Sequence, residues 1–245
     1  MRATAERFGL KTLSGAADRG DVDPTSSTMV LDPAQGADLV PADLLANTFT
    51  QYAADAAARA AGTRPQGDYT PYELRNIGAL LRLGHADEAQ ALLDFFFADQ
   101  RPRAWHQWAE VVGREPRAPR FIGDMPHAWV ASDFLRSALD IFGYEREADH
   151  AVVIGAGVTS AWRHAGDVGV SGLMLSGAQL DWRLQRRGAG WHLSITRAPN
   201  AGMRLAWPGT DPLPRAMYKG QPLSWQGREL PLPAGTTEID LGDTP

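Results

Sequence analysis

The chain predicts an α+β fold in which helical hairpins occupy residues 1–150 and an antiparallel β-sheet or small sandwich occupies residues 151–245. Apolar residues recur at three- and four-residue steps in the first part, the period of a helix with one buried stripe. After Tyr144 they recur at two-residue steps, separated by turns such as Arg187-Gly188-Ala189-Gly190, the pattern of half-buried strands. A length of 245 residues suits one large domain, or a medium domain with a smaller one.

The clearest helix covers residues 41–62, where Leu44, Leu45, Phe49, Tyr52, Ala53 and Ala56 share a face. A second begins near Thr70, whose Thr-Pro pair supplies a cap and a first-turn residue, and ends at Gly84. A third covers 85–99, with an apolar run at 91–97 too continuous for a solvent-facing helix. The fourth opens at Met125-Pro126 and stops at Gly143, and a shorter segment lies at 25–31. The second and third helices nearly abut and should form an antiparallel hairpin. The connections before the second and fourth are long and rich in Gly, Pro, Asp, Trp and Arg, which is where function concentrates.

Strands are expected at 168–175, 178–186, 190–197 and 203–207, with two more at 218–223 and 237–241. Trp182, Trp191 and Trp207 alternate on them as sheet core. Val152-Val153-Ile154-Gly155-Ala156-Gly157 imitates a dinucleotide fingerprint, but Ser160 stands where the third glycine belongs and no crossover helix or following parallel strand is evident. It reads as a strand and turn leaving the last helix.

Several function classes are excluded by composition. A net charge of −5 and scattered arginines give no polyanion-binding face, so no nucleic-acid partner is expected. The absence of cysteine removes disulfides, thiolate metal sites and thiol nucleophiles. The N-terminus is too polar for a signal peptide and no apolar run approaches about 18 residues, so no membrane partner is expected and the location is cytoplasmic by default. Ser132, Ser171 and Ser176 lack a nucleophile elbow.

Chemistry concentrates between Arg103 and Arg136. Trp105, Trp108 and Glu110 are followed by Gly123-Asp124-Met125-Pro126-His127-Ala128-Trp129 at the mouth of an apolar helix. Indole faces cover the C–H side of a pyranose, while carboxylates bond its hydroxyls or act as general acid and base. Each residue also has a plain structural role open to it. Glu110 can pair with Arg103 or Arg114; Asp124 can cap the helix; Asp68 fits turn chemistry; Asp21 and Asp23 can favour a helix dipole; tryptophans can cover a core. His106 with Glu110, and Asp124 with His127, match no recognised metal spacing, so neither metal nor other cofactor is expected.

The order helix, Gly67-Asp68-Tyr69-Thr70-Pro71-Tyr72-Glu73-Leu74, hairpin, Ala104-Trp105-His106-Gln107-Trp108-Ala109-Glu110, Asp124-Met125-Pro126-His127-Ala128-Trp129-Val130, then a β tail resembles the C-terminal half of the six-hairpin, (α/α)6-barrel glycosidases. The layout is most similar to their α-L-rhamnosidase-like branch, over roughly residues 15–241. The resemblance implies a partial (α/α) toroid whose inner helices start near Thr25, Thr70 and Met125. It implies Glu110 as general base, with Asp21, Asp23, Asp68, Tyr69, Tyr72, Trp105, Trp108, Asp124, His127 and Trp129 around an oligosaccharide or glycoside.

A complete toroid needs more helices than this chain supplies, and the segment carrying the proton-donating carboxylate has no counterpart here. Inverting hydrolysis needs two carboxyl groups roughly 6.5–9.5 Å apart. The expectation is therefore a C-terminal portion, inactive alone, or a non-catalytic carbohydrate-binding or assembly module. Open helical edges would expose apolar stripes, and burying about 1,000 Å² of apolar surface gains on the order of 25 kcal/mol in gross transfer terms. Association as a homodimer, or with a complementary N-terminal chain, follows from that.

Overall fold

A computed structural model describes residues 1–64, 67–113 and 122–242. They form an α+β fold in two compact units, one of Met1–Leu83 with Glu88–Ser137 and the other of Gly84–Asp87 with Ala138–Pro245. Along the chain the helices are α1 (Arg2–Phe8), α2 (Pro24–Ser27), α3 (Ala42–Ala60), α4 (Asn76–Arg82), α5 (Ala86–Ala98), α6 (Ala128–Asp140) and α7 (Ser160–Ala165). The strands are β1 (Gly143–Arg146), β2 (Ala151–Ile154), β3 (Val168–Leu175), β4 (Ala178–Arg187), β5 (Gly190–Arg197), β6 (Gly202–Ala206), β7 (Arg215–Tyr218), β8 (Gln221–Leu223), β9 (Glu229–Leu232) and β10 (Glu238–Gly242). Among the described residues no helix is long and apolar enough to cross a membrane.

In the first unit α3 behaves as its spacing predicts. Leu44, Leu45, Thr48, Phe49 and Tyr52 are buried, and Asp43 in the first turn and Arg59 in the last complement the helix dipole. The second expected helix starts more tightly than its pattern suggests: Pro71–Arg75 is a 3₁₀ turn, capped by Thr70 accepting the Tyr72 N–H at 3.3 Å, and only then does α4 begin. The core gathers Phe49, Leu74, Ile77, Leu80, Phe96 and Val130, all essentially inaccessible. Each such side chain contributes about 1.5–3 kcal/mol of transfer free energy. Ser137 of α6 donates to the Leu74 carbonyl at 2.8 Å, fixing that helix to the 3₁₀ turn.

The fourth helix corrects the sequence reading at both ends. It begins at Ala128, after a cis Met125–Pro126 bond, so Asp124 is not its cap. It ends at Asp140, and Gly143 is the first residue of β1, where an added Cβ would sit 3.1 Å from Leu180 and 3.3 Å from Leu173. That glycine answers to packing in the sheet and terminates no helix.

In the second unit two sheets share one apolar core, with strand orders β1-β2-β6-β9 and β3-β4-β5-β10-β7-β8. Val152, Ile154, Leu205 and Leu230 of the first sheet pack with Leu180, Trp182, Leu193 and Ile239 of the second. The stretch 218–223, expected as one strand, is instead the end of β7, a two-residue turn and β8. Lys219 and Gly220 both have positive φ, 49° and 78°, the geometry that reverses twisted strands. The sheet is not wholly antiparallel, because β2 runs parallel to β6 with Val152 opposite Met203. A parallel strand does follow the Gly155-Ala156-Gly157 turn, reached through α7 and the β3–β5 meander rather than a crossover helix. Trp207 is 1% exposed beneath the buried Arg163 guanidinium, 4.3 Å from its ring centre. Arg163 donates to the Val158 and Pro208 carbonyls and to Asp211 at 2.5, 3.0 and 3.0 Å.

Polar pairing on the smaller sheet has a testable pH signature. Asp149 accepts from Arg146 at 2.9 Å through both oxygens and from Arg204 at 2.7 Å, and the Arg146 bonds followed by its charge hold the carboxyl below the usual aspartate range. A lowered folded-state pKa stabilises above the unfolded value of about 3.9 and loses that contribution as pH falls through the folded value. Asp149→Asn should therefore cost on the order of 1 kcal/mol at pH 7, with the gap to wild type narrowing in urea titrations as pH falls below about 3.9. A gap independent of pH would show that the network does not act through charge.

Candidate functional site

The site is assembled in the first unit by irregular chain rather than by helices. Tyr69 and Val112 form an isolated antiparallel bridge, exchanging N–H···O bonds of 3.1 and 2.8 Å. Across the same segment Val111 donates to Ile122 at 3.1 Å, Glu110 to the Asp124 carbonyl at 3.0 Å, and His127 to the Trp108 carbonyl at 3.1 Å. The peptide groups around Glu110 are thus satisfied by two different stretches of chain, which fixes the backbone that carries the carboxylate.

Glu110 is half-buried and lies over Gly123, where φ is +62°. A Cβ at Gly123 would come within 2.7 Å of the Glu110 Cβ, so both the backbone conformation and the close approach require glycine there. Gly123→Ala is expected to lower stability by about 1–3 kcal/mol and to displace the Glu110 side chain. Unchanged thermal melting would remove the constraint.

Beside Glu110 stands an aromatic pair. The Tyr72 hydroxyl is 2.5 Å from His127 Nε2, and the two rings meet edge-on at 5.4 Å. Burial, then the Glu110 charge, push the Tyr72 pKa up; Arg75 opposes, while Asp133 and Asp124 add to the rise. The phenol therefore stays protonated at neutral pH and can donate to Nε2 or accept from it according to the imidazole tautomer, while Nδ1 lies 3.8 Å from Asp124 Oδ2. Arg75 sits 5.1 Å from the Tyr72 ring centre and bonds Asp133 Oδ2 through Nε and Nη2 at 3.1 and 2.7 Å. Trp129 meets Tyr72 edge-on at 5.7 Å and is 61% exposed, leaving an indole open to solvent beside the polar groups.

Of the residues singled out in the sequence, the structure brings together Tyr72, Glu110, Asp124, His127 and Trp129. Trp108 does not join them as a platform. It is 4% exposed, packs on Phe97 and Phe134, and donates its indole N–H to the Phe96 carbonyl at 3.1 Å, so it belongs to the core. Tyr69 is likewise buried, its hydroxyl spent on Asp99 at 2.7 Å. Asp23 caps α2 by accepting from the Ser26 N–H and hydroxyl at 3.0 and 2.5 Å, and Asp21 accepts from the Ala16 N–H at 2.8 Å. Trp105 lies in a 3₁₀ turn and is 59% exposed, and Asp68 is exposed beside a separate cavity. Arg114, considered as a Glu110 partner, lies outside the described residues.

Sequence reasoning missed Arg75 and Asp133. They are 58 positions apart, with no local pattern linking them. Among the described residues no group of three or more His, Asp or Glu side chains is arranged to hold a metal ion.

The site can accept hydrogen bonds from hydroxyls at Glu110, position a small polar molecule through Tyr72 and His127, and cover an apolar face with Trp129. Comparison of the chain with protein-family models, curated proteins and solved structures gives no match.

Proposed function

We propose that this chain is a carbohydrate-active protein, the C-terminal portion of a glycoside hydrolase whose helices are part of an (α/α) toroid. The observation that carries the reading is the convergence of half-buried Glu110, the Tyr72–His127 pair and the exposed face of Trp129 from separate stretches of chain. In the proposed reaction Glu110 takes a proton from water as the water oxygen attacks the anomeric carbon, and Trp129 covers the apolar side of the sugar. The leaving oxygen needs a proton from a second carboxyl group. Asp133 is bound to Arg75 with its side chain 4% exposed, and the Asp124 side chain is 85% exposed, so neither is set up to give one. A homodimer mate or a complementary N-terminal chain supplies that acid in this account.

The same observation favours one alternative, a non-catalytic carbohydrate-binding or assembly module that uses the aromatic cluster without chemistry. Calorimetric titration with oligosaccharides, followed by product analysis on the assembly that supplies the second carboxyl group, separates the two. Saturable heat with product supports the hydrolase, saturable heat without product supports the module, and no heat contradicts both.

A further inference from the structure

A cavity of the same unit, apart from the Glu110 cluster, lies on the other face of the 3₁₀ turn Pro71–Arg75. Tyr72 turns toward His127, whereas Glu73 turns toward α3 and forms the floor of a cavity of about 580 Å³, within the roughly 300–1,000 Å³ common for small-ligand sites. The floor is a closed polar set. Arg59 donates to both Glu73 oxygens at 2.9 and 2.7 Å, and the Tyr52 hydroxyl donates to Oε2 at 2.8 Å. Rings of Tyr69 and Phe95 flank the guanidinium at 5.2 and 4.9 Å, fixing its plane.

Among the described residues this cavity holds two made ion pairs, and Asp68 also lies on its wall. Arg59 faces Glu73, and Arg64 at the rim meets Asp55 at 2.5 Å. An anionic ligand would meet three carboxylates, and any ion that recruited a partner from Arg59–Glu73 or Arg64–Asp55 would break a made ion pair. A neutral ligand rich in hydroxyls breaks neither pair. Gln51 and Thr25 add an amide and a hydroxyl to the wall, and Val22, Pro24 and Ala56 give apolar surface for C–H faces.

We propose that this cavity is a second carbohydrate site, binding a neutral glycosyl unit apart from the Glu110 cluster. The choice of a sugar over other neutral polyols rests on the functional reading above; the cavity and its hydroxyl-matching groups do not. Such a site would hold another part of an oligosaccharide, or retain the chain on its substrate.

Titration of the full chain with methyl α-L-rhamnopyranoside and methyl α-D-glucopyranoside, followed by saturation-transfer NMR, tests the proposal. Wild type should bind at least one of them saturably. Gln51→Trp, which fills the cavity from an exposed position, should weaken binding at least tenfold, and Trp129→Ala should leave a saturable component. Gln51→Ala removes only the amide and should weaken binding severalfold, which covers the case in which the indole disturbs α3. Binding abolished by Trp129→Ala and indifferent to both Gln51 variants would place all recognition at the Glu110 cluster and overturn the second site, as would no saturable binding by wild type. Glycoside turnover of wild type and Glu110→Gln is measured separately, on the assembly that supplies the second carboxyl group. Loss of turnover there with no Gln51 effect overturns only the second site; binding that depends on Gln51 without Glu110-dependent turnover overturns only the hydrolase.

Discussion

Glu110→Gln should lower glycoside turnover by about 10²–10⁴-fold while leaving the dissociation constant for the same sugar within about threefold, the range general-base removal produces. Glutamine keeps the shape of the side chain and its fit over Gly123, so the folded state should persist with little change in melting temperature. What is lost is the ability to take a proton from water. The measurement uses a panel of aryl glycosides, with α-L-rhamnoside and α-glucoside included, on whatever assembly of the chain shows turnover. Equal rates in wild type and variant would remove Glu110 from the mechanism. A parallel loss of binding and rate would make it a recognition residue instead, since the carboxylate would then stabilise bound ground state and transition state alike.

The largest stability effect is expected at Glu73. Its two oxygens accept three bonds, two from Arg59 and one from Tyr52, and the Arg59 and Glu73 side chains are 15% and 12% exposed. Burial works against the Arg59 charge, and the bonds and charge of Glu73 more than restore it, so the guanidinium pKa ends above its ordinary value. Glu73→Ala would leave a buried cation and a buried phenol without partners, at a cost of about 3–5 kcal/mol. Denaturant titration monitored by tryptophan fluorescence measures this. A loss below about 1 kcal/mol would show that water reaches the pair and screens it. Pairing Glu73→Leu with Arg59→Met should recover much of the loss, because no charge is then stranded.

Helix and strand positions were legible where the cause is local. The α3 stripe, the apolar steps along β4 and β5, and the Thr70 cap depend on neighbours a few residues apart, and the structure follows them, whereas the alternation along β3 breaks at a register shift between Val170 and Leu173. The sequence reading failed where distant packing decides. Gly143 looks like a helix stop because glycine often is one, yet Leu173 and Leu180, far along the chain, need its bare backbone beside them. β1 and β9 went unseen, since four-residue strands carry too little alternation to register, and the parallel pairing of β2 with β6 leaves no local trace.

The site was legible to a similar degree. Glu110, Asp124, His127 and Trp129 stand close in sequence as a recognisable mixture of acid, imidazole and indole. That Tyr72 joins them depends on the Tyr69–Val112 bridge, which spans 43 positions by numbering and has no sequence signature. Trp108 and Trp129 are indistinguishable by residue type. One faces Phe134 and the other solvent because helix packing places them so. Asp23 was legible in the other direction: an Asp before Pro-Thr-Ser is cap chemistry, and its carboxylate is consumed by Ser26.

The most direct test of the central claim is where a sugar touches the protein. Two-dimensional NMR of the tryptophan indole and histidine imidazole resonances, recorded while oligosaccharide is titrated in, reads that location. The account predicts saturable shifts at Trp129 and His127, with Trp182 and Trp207 in the β-sheet core unmoved. Shifts confined to the second unit, or none at Trp129 and His127 up to millimolar sugar, would contradict it.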